Sequence, residues 1–352
     1  MGKLTIGIWG QYGDGGKIAD GQAVRTTIIT TELENRYGKE NVRIVNTNSW
    51  RRHPINFFLK SFKLVRDSRI VVIAPADNGY KVFVPLLMLF NVLFRRNLVH
   101  VVIGGFLPAL LSTRKIYKWL ENKFDAIFVQ TENLRKDLEA LGIRKIHILS
   151  NLKRLNSKRP EDLTLSTSST IQVCTFSRVN KEKGVEDAVT AVRLVNEALG
   201  GNLVSLDIYG LVPDDYQNSL TELVDNNKQF VNYKGIVDYD KTVEILSNYF
   251  VMLFPTFYYG EGFPGNVVDA YNTGLPIIAT DCLYNKDVIC NGRNGILVPI
   301  KSPDSVASAI LDLYNDRELH LKMSQNCLAD SAKYQPDQVL QDFYSYIDST
   351  LV

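Results

Sequence analysis

Glu261 stands at a glycine-rich bend, and Asp269 follows eight residues later in a stretch of helical character. Gly262 and Gly265 let a ligand approach the backbone closely, because neither carries a side chain to block it. Phe263 and Pro264 complete the bend. The amides of Gly265, Asn266 and Val267 fall in the first helical turn, where unpaired N–H groups and the helix dipole attract phosphate. A strand over residues 250–255 leads into the bend, and a second over 275–279 leads away. An anion seat with two carboxylates beside it suits a sugar attached to a diphosphate.

A second cluster is cationic. Residues 171–176 read as a strand, and Ser-Arg-Val-Asn-Lys-Glu-Lys-Gly follows before the next helix. Arg178 lies just past the strand end and Lys183 at the start of the helix. An arginine fork and a lysine ammonium near one diphosphate balance the charge that builds on a leaving phosphate. The plain alternative is a solvated basic loop, since Lys181, Glu182 and Lys183 form an ordinary surface run.

These residues need a frame, and the chain is long enough for two. At 352 residues it exceeds the ~250–300 at which single cores stop growing. Strands are expected at 4–9, 42–46, 70–74, 98–103, 126–130 and 145–149, with helices at 21–37, 82–94, 108–122 and 133–141 between them. Such alternation implies right-handed βαβ units and a parallel sheet. Residues 153–170 are polar and poor in core side chains, so the domain boundary is placed near residue 160. The alternation then resumes, with strands at 171–176, 203–209, 230–234 and 296–298 and helices at 185–198, 241–248, 302–314, 317–333 and 336–347. The expected architecture is α/β: two doubly wound domains, 1–160 and 161–335, facing a cleft. A terminal segment, 336–352, is expected to cross back to the first domain. Ligands of such sheets bind outside the carboxyl ends of the strands.

Composition narrows the class. The net charge of +2 does not suggest a general nucleic-acid binder. Cys174, Cys282, Cys290 and Cys327 are scattered without metal or disulfide spacing, which fits a reducing cytosol. The N-terminus reads as a first strand, without the apolar stretch and cleavage site of a signal peptide. The most apolar run, 82–94, is shorter than the ~20 residues a bilayer requires. A soluble or membrane-peripheral protein at the cytoplasmic face is expected.

The bend from Glu261 to Asp269 resembles the E-x7-E segment of family 4 retaining glycosyltransferases, which have the GT-B fold of two Rossmann-like domains. The second acid here is Asp269 rather than Glu, one methylene shorter. Arg178 and Lys183-Gly184 are similar to the R-x4-K-G segment of the same enzymes. The resemblance covers most of the C-terminal half. It implies that Glu261 contacts the donor sugar, that Asp269 holds the ribose hydroxyls, and that Arg178 and Lys183 contact the pyrophosphate. It also implies that Gly210 ends a strand forming the nucleotide floor and that Ile236 and Val237 bracket the base. Retention of anomeric configuration follows from the resemblance alone. In a front-face mechanism the departing phosphate oxygen accepts the acceptor's proton, which agrees with the lack of an obvious base.

The first loop, residues 10–18, carries Gly13, Gly15 and Gly16. It fits neither the P-loop, which needs Lys where Gly16 stands, nor G-x-G-x-x-G. Its amides are expected to close on a phosphate or the acceptor, as the first loop of GT-B enzymes does, with Gly15 and Gly16 assigned to the donor. Gly104 and Gly105 end the fourth strand and are assigned to the acceptor; many family members carry a histidine near here. His100, inside that strand, reads as a core histidine. Residues 51–66 mix cations with aromatics, and a helix over 55–66 places Phe58, Leu59, Phe62 and Val65 on one face. That pattern matches either a helix lying on an anionic inner leaflet or one packed on its own sheet.

The resulting expectation is an enzyme moving a sugar, with retention, from a nucleotide-diphosphate sugar to a saccharide or lipid-linked saccharide. UDP is favoured, no metal or other cofactor is needed, and surface polysaccharide assembly is the setting. Two rivals share the fold: a non-hydrolysing sugar-nucleotide epimerase and a non-catalytic partner subunit. The epimerase is opposed by the lack of the several carboxylates and histidines that such enzymes place around the sugar, and the partner subunit by the presence of Arg178, Lys183 and Glu261.

Overall fold

A computed structural model describes residues 5–13, 21–48, 50–238 and 240–350. Gly15 and Gly16, expected at the donor, lie outside the described residues. The chain divides into two units: residues 1–152 with 336–352, and residues 153–335.

In the first unit β1 (Ile6–Gly10), α1 (Gly21–Tyr37), β2 (Val42–Asn46), α2 (Pro54–Asp67), β3 (Ile70–Ala74) and α3 (Asp77–Phe94) alternate. Then come β4 (Asn97–Val101), α4 (Leu107–Thr113), α5 (Lys115–Glu121), β5 (Ala126–Val129), α6 (Glu132–Ala140) and β6 (Ile146–Ile148). The strands pair in parallel in the order β2-β1-β3-β4-β5-β6. Right-handed crossovers put α1, which steps back to β2, on one face, and α2, α3 and α5, which step forward, on the other. Ile6, Ile8, Ile70 and Val72 accordingly pack with Ile29 and Leu33 of α1. Trp9 points the opposite way, with its ring centroid 5.6 Å from Phe57 of α2 and 5.9 Å from Phe83 of α3.

The second unit holds β7 (Ile171–Phe176), α7 (Val185–Leu199), β8 (Val204–Tyr209), α8 (Gln217–Asn226), β9 (Val231–Gly235), α9 (Thr242–Leu246) and β10 (Val251–Phe254). It continues through α10 (Gly265–Thr273), β11 (Ile277–Thr280), β12 (Gly295–Val298), α11 (Pro303–Asn315) and α12 (Arg317–Ser331). Its parallel sheet runs β12-β11-β10-β7-β8-β9. α13 (Pro336–Val339) and α14 (Gln341–Ser349) return to the first unit, where Leu340, Phe343 and Ile347 are buried in its core.

Several expectations are corrected. The boundary falls at Leu152/Lys153 rather than at 160, because the backbone of Lys158 and the hydroxyl of Ser157 bond to Asn272 of the second unit. The single helix expected over 108–122 breaks at Arg114, whose backbone is extended. Just before the break, Ser112 and Thr113 return their hydroxyls to backbone carbonyls, competing with helix continuation. α8 lies where no helix is expected; Leu220 is buried, and Leu223 and Val224 on the same face pack half-buried against the core. On α2 the buried side chains are Phe57, Ser61, Leu64 and Val65; of the face expected from Phe58, Leu59, Phe62 and Val65, Val65 is buried, Phe62 half-buried, and Phe58 and Leu59 exposed.

Candidate functional site

β7 and β10 are neighbours in the sheet, with Val173 opposite Val251, so the loops leaving their carboxyl ends must meet. They are joined closely. The amide of Phe257 donates to the Glu182 carbonyl at 2.9 Å, and the Thr256 hydroxyl approaches the same carbonyl at 3.3 Å. Gly184 has φ +75°, and a Cβ placed there would lie 2.1 Å from the Pro255 carbonyl oxygen. Only glycine permits this approach. The next loop is held in the same way: Gly210 has φ +137°, and a Cβ on it would meet the Ser177 carbonyl at 1.8 Å.

This stitching brings together two of the residues read from sequence. The Lys183 ammonium forms an ion pair with the Glu261 carboxylate, both side chains being largely buried. Lys183 also lies over the rings of Tyr258, 4.9 Å from its centroid, and Phe254, at 5.5 Å. Such contacts favour a desolvated cation. Asn180 caps the short turn Lys181–Lys183 by accepting from the Lys183 amide at 3.1 Å, which fixes where that side chain departs. Thr256 sets its hydroxyl 3.3 Å from Glu261. Arg178 is exposed on the same loop. Burial pushes the Tyr258 phenol up, Tyr259 adds to this, and Arg178 opposes both.

α10 begins at this site. Its N-cap is Pro264, whose side chain accepts no hydrogen bond, so the first-turn amides of Gly265 and Asn266 are left to other acceptors. The Asn266 side chain donates to the Phe176 carbonyl at 2.8 Å, tying the helix start to the end of β7. Gly262, Phe263 and Pro264 are buried in the bend.

Asp269, one turn into α10, is 2% exposed. Its two oxygens lie 2.6 Å and 2.5 Å from the Lys153 ammonium, and Thr242 donates to one of them at 3.0 Å. Gly210 and Gly235 are bonded through amide and carbonyl at 2.9 Å, and the Tyr233 hydroxyl donates to the Gly210 carbonyl. Ile236 is exposed beyond them and Val237 half-buried. In the first unit Gly104 has φ +79° and donates its amide to the Gln130 side chain at 3.1 Å, while Gly105 is buried. His100 is buried, with Nδ1 2.7 Å from Glu121, which also accepts from Tyr80.

Three features had no local signal. Lys153 lay in a tract read as linker, and its partner is 116 residues away. Thr256 read as one more residue of the bend. Asp207 accepts from Tyr249 at 2.8 Å and from Asn232 at 3.0 Å, and Tyr249 bonds in turn to Tyr209. This network props the strand end that leads to Gly210. Among the described residues no group of three or more His, Cys, Asp or Glu is placed to hold a metal ion.

Residues 170–316 match the family model of Glycosyl transferases group 1. The chain is 24% identical over 268 residues to the N,N'-diacetylbacillosaminyl-diphospho-undecaprenol alpha-1,3-N-acetylgalactosaminyltransferase of Campylobacter jejuni, covering 73% of this chain and 66% of that protein. It is 32% identical over 153 residues to the UDP-N-acetylglucosamine–peptide N-acetylglucosaminyltransferase GtfA subunit of Streptococcus pneumoniae, covering 41% and 29%. The chain therefore spans less than two thirds of the length of these relatives. Among solved structures, Anabaena HepE in complex with UDP-glucose superposes with a TM-score of 0.75 over 98% of this chain and all of that one, at 15% identity. The fold is GT-B: two Rossmann-like units, each a six-stranded parallel sheet flanked by helices.

Proposed function

We propose that the chain is a glycosyltransferase that moves a sugar from a nucleotide-diphosphate sugar, UDP-linked, to a saccharide or lipid-linked saccharide acceptor with retention, in surface or exopolysaccharide assembly. The observation that carries the reading is the Lys183–Glu261 pair at the carboxyl ends of two adjacent parallel strands, beside an uncapped helix start. In this reading the β-phosphate takes the ammonium of Lys183, with Arg178 as a second cation and the amides of Gly265 and Asn266 as donors. Glu261, freed from Lys183, accepts hydrogen bonds from the sugar hydroxyls. Gly210, Ile236 and Val237 border the base. Asp269 reaches the ribose only by giving up Lys153.

The bond between the anomeric carbon and the phosphate oxygen breaks, and one to the acceptor oxygen forms on the same face. The acceptor's proton passes to the departing phosphate. Positive side chains and helix amides stabilise that charge, so the reading requires no metal. Gly104 and Gly105 belong to the acceptor side.

Support for UDP and for a lipid-linked acceptor comes from the relatives: one carries UDP in its name, another a diphospho-undecaprenol acceptor. A melting-temperature panel of UDP-, GDP- and dTDP-sugars tests the donor, because a ligand that binds only the folded form raises the melting point. A rise with UDP-sugars alone, followed by release of UDP with a saccharide acceptor, is the expected result. No rise with any of them removes the reading, and recovery of an epimerised nucleotide sugar without transfer hands it to the epimerase.

A further inference from the structure

α3 lacks the polar outer face of an ordinary surface helix. Between Lys81 and Arg95 it carries no charged residue, and its single amide side chain, Asn91, is spent on the backbone of Arg96. Its inward side chains, Phe83, Val84, Leu87 and Phe90, are buried. Its outward ones are equally apolar and stand in water: Leu89 is 63% exposed, Val92 73% and Leu93 68%. A helix apolar all round is expected inside a core or against lipid.

The neighbouring helices continue the surface. α2 packs on α3 through Phe58 and Phe62, whose rings lie 5.0 Å and 5.4 Å from that of Phe90. Ile55, at the start of α2, is 77% exposed. On the other flank α5 packs on α3 and presents Trp119, 56% exposed, with Lys123 4.8 Å from its ring centroid. All three helices lie on the forward-crossover face of the sheet. Patches of contiguous exposed apolar side chains of this kind mark interaction sites on soluble proteins.

Charge selects the partner. From Trp50 to Asp67 five cations stand against one acid, and that acid, Asp67, is paired with Arg66 and Arg43. From Arg95 to Lys123 six cations stand against Glu121 alone, which is buried. Apolar side chains, an interfacial tryptophan and unopposed lysines and arginines are together what an anionic bilayer surface accepts. Among the described residues no helix is long and apolar enough to cross a membrane, so the contact is with the surface.

We propose that the outer faces of α2, α3 and α5 form a docking surface for anionic lipid bilayers. This differs from a membrane helix confined to residues 51–66, because three strongly exposed apolar side chains, Leu89, Val92 and Leu93, belong to α3. It also stands apart from the glycosyl-transfer reading, since it is measured without donor or acceptor.

The test is flotation of the full chain with vesicles of phosphatidylcholine alone or mixed with phosphatidylglycerol, at low and high salt. Binding to the mixed vesicles only, weakening as salt screens the cations, is expected. Leu89→Glu/Leu93→Glu should lower it by about tenfold or more, as should Lys60→Glu/Lys63→Glu, which alters only exposed side chains. Ile300→Glu, an exposed apolar side chain of the second unit, should bind as the parent does. Absent or composition-independent binding overturns the proposal, as does binding that both double variants retain. A dimer that dissociates in Leu89→Glu/Leu93→Glu, without vesicle binding by the parent, would assign the surface to a second copy and overturn it too.

Discussion

Lys153, the first residue of the second unit, is bound by both oxygens of Asp269 on the helix that begins at the candidate site. The Lys153 amide also reaches the Tyr334 carbonyl at 3.3 Å, one residue before the chain leaves the unit again at Gln335. Gln335 itself bonds to Asn272 of α10 at 3.3 Å. The two segments through which the chain passes between units are thus both fastened to α10.

Removing one partner of a buried ion pair leaves an uncompensated charge, which costs about 3–5 kcal/mol. Lys153→Met and Asp269→Asn should each lower the unfolding free energy of the second unit by roughly that amount. The double variant should lose less than the sum, because neither charge is then left alone. Chemical denaturation of the four proteins measures this. Additive losses would mean that the two side chains do not act as a pair.

Lys183→Ala should reduce transfer by about 10²–10³ in kcat, the scale seen when a group stabilising transition-state charge is removed. It should also abolish the melting shift given by UDP. Glu261→Gln should reduce kcat while leaving the UDP shift in place, since its assigned partner is the sugar. A variant at Lys183 that transfers normally would support the rival readings.

Gly184→Ala tests the stitching of the two loops. The added Cβ must displace the Pro255 backbone from a left-handed position, a strain of about 1–3 kcal/mol. We expect a lower melting temperature together with weaker UDP binding, because Lys183 is the preceding residue. Gly200→Ala makes the comparison: its φ is +73° but nothing lies within 4 Å of the new Cβ, so stability should fall less and UDP binding should hold.

His320 stacks on Phe250 with centroids 3.9 Å apart, and its Nε2 lies 2.6 Å from the Phe250 carbonyl. Burial lowers its pKa below 6.5; the Phe250 carbonyl opposes this, and Arg317 adds to it. The folded protein therefore resists a proton that the unfolded chain accepts. The stability tied to neutral His320 is complete above pH 6.5 and declines as pH falls below it towards the folded value. His320→Gln should flatten the fall in melting temperature over that range, and an unchanged slope would show that other groups set it.

Much was legible in the residues themselves. Apolar runs of four to six residues between longer helical stretches were enough for parallel sheets, because a strand buried on both faces must be apolar throughout. β2, β3, β7 and α1 fall where the pattern placed them, since their ends coincide with polar or glycine residues. Glu261, Lys183 and the α10 start were recognisable because they lie within short motifs next to strands. The break at Arg114 was not, because its cause is side-chain bonds to the backbone.

Sequence alone determined the strand–helix alternation, the cationic loop after β7 and the glycine bend after β10, for each depends on residues close together in the chain. Tertiary structure decided which charges meet. Lys183 and Glu261 are 78 residues apart, and Lys153 and Asp269 are 116 apart. Their pairing depends on which strands become neighbours and which side chains lose water, and neither is written in local order. The same holds for the apolar outer face of α3: a run of hydrophobic residues does not say which side is covered, and packing buried one side of it and left the other in solvent.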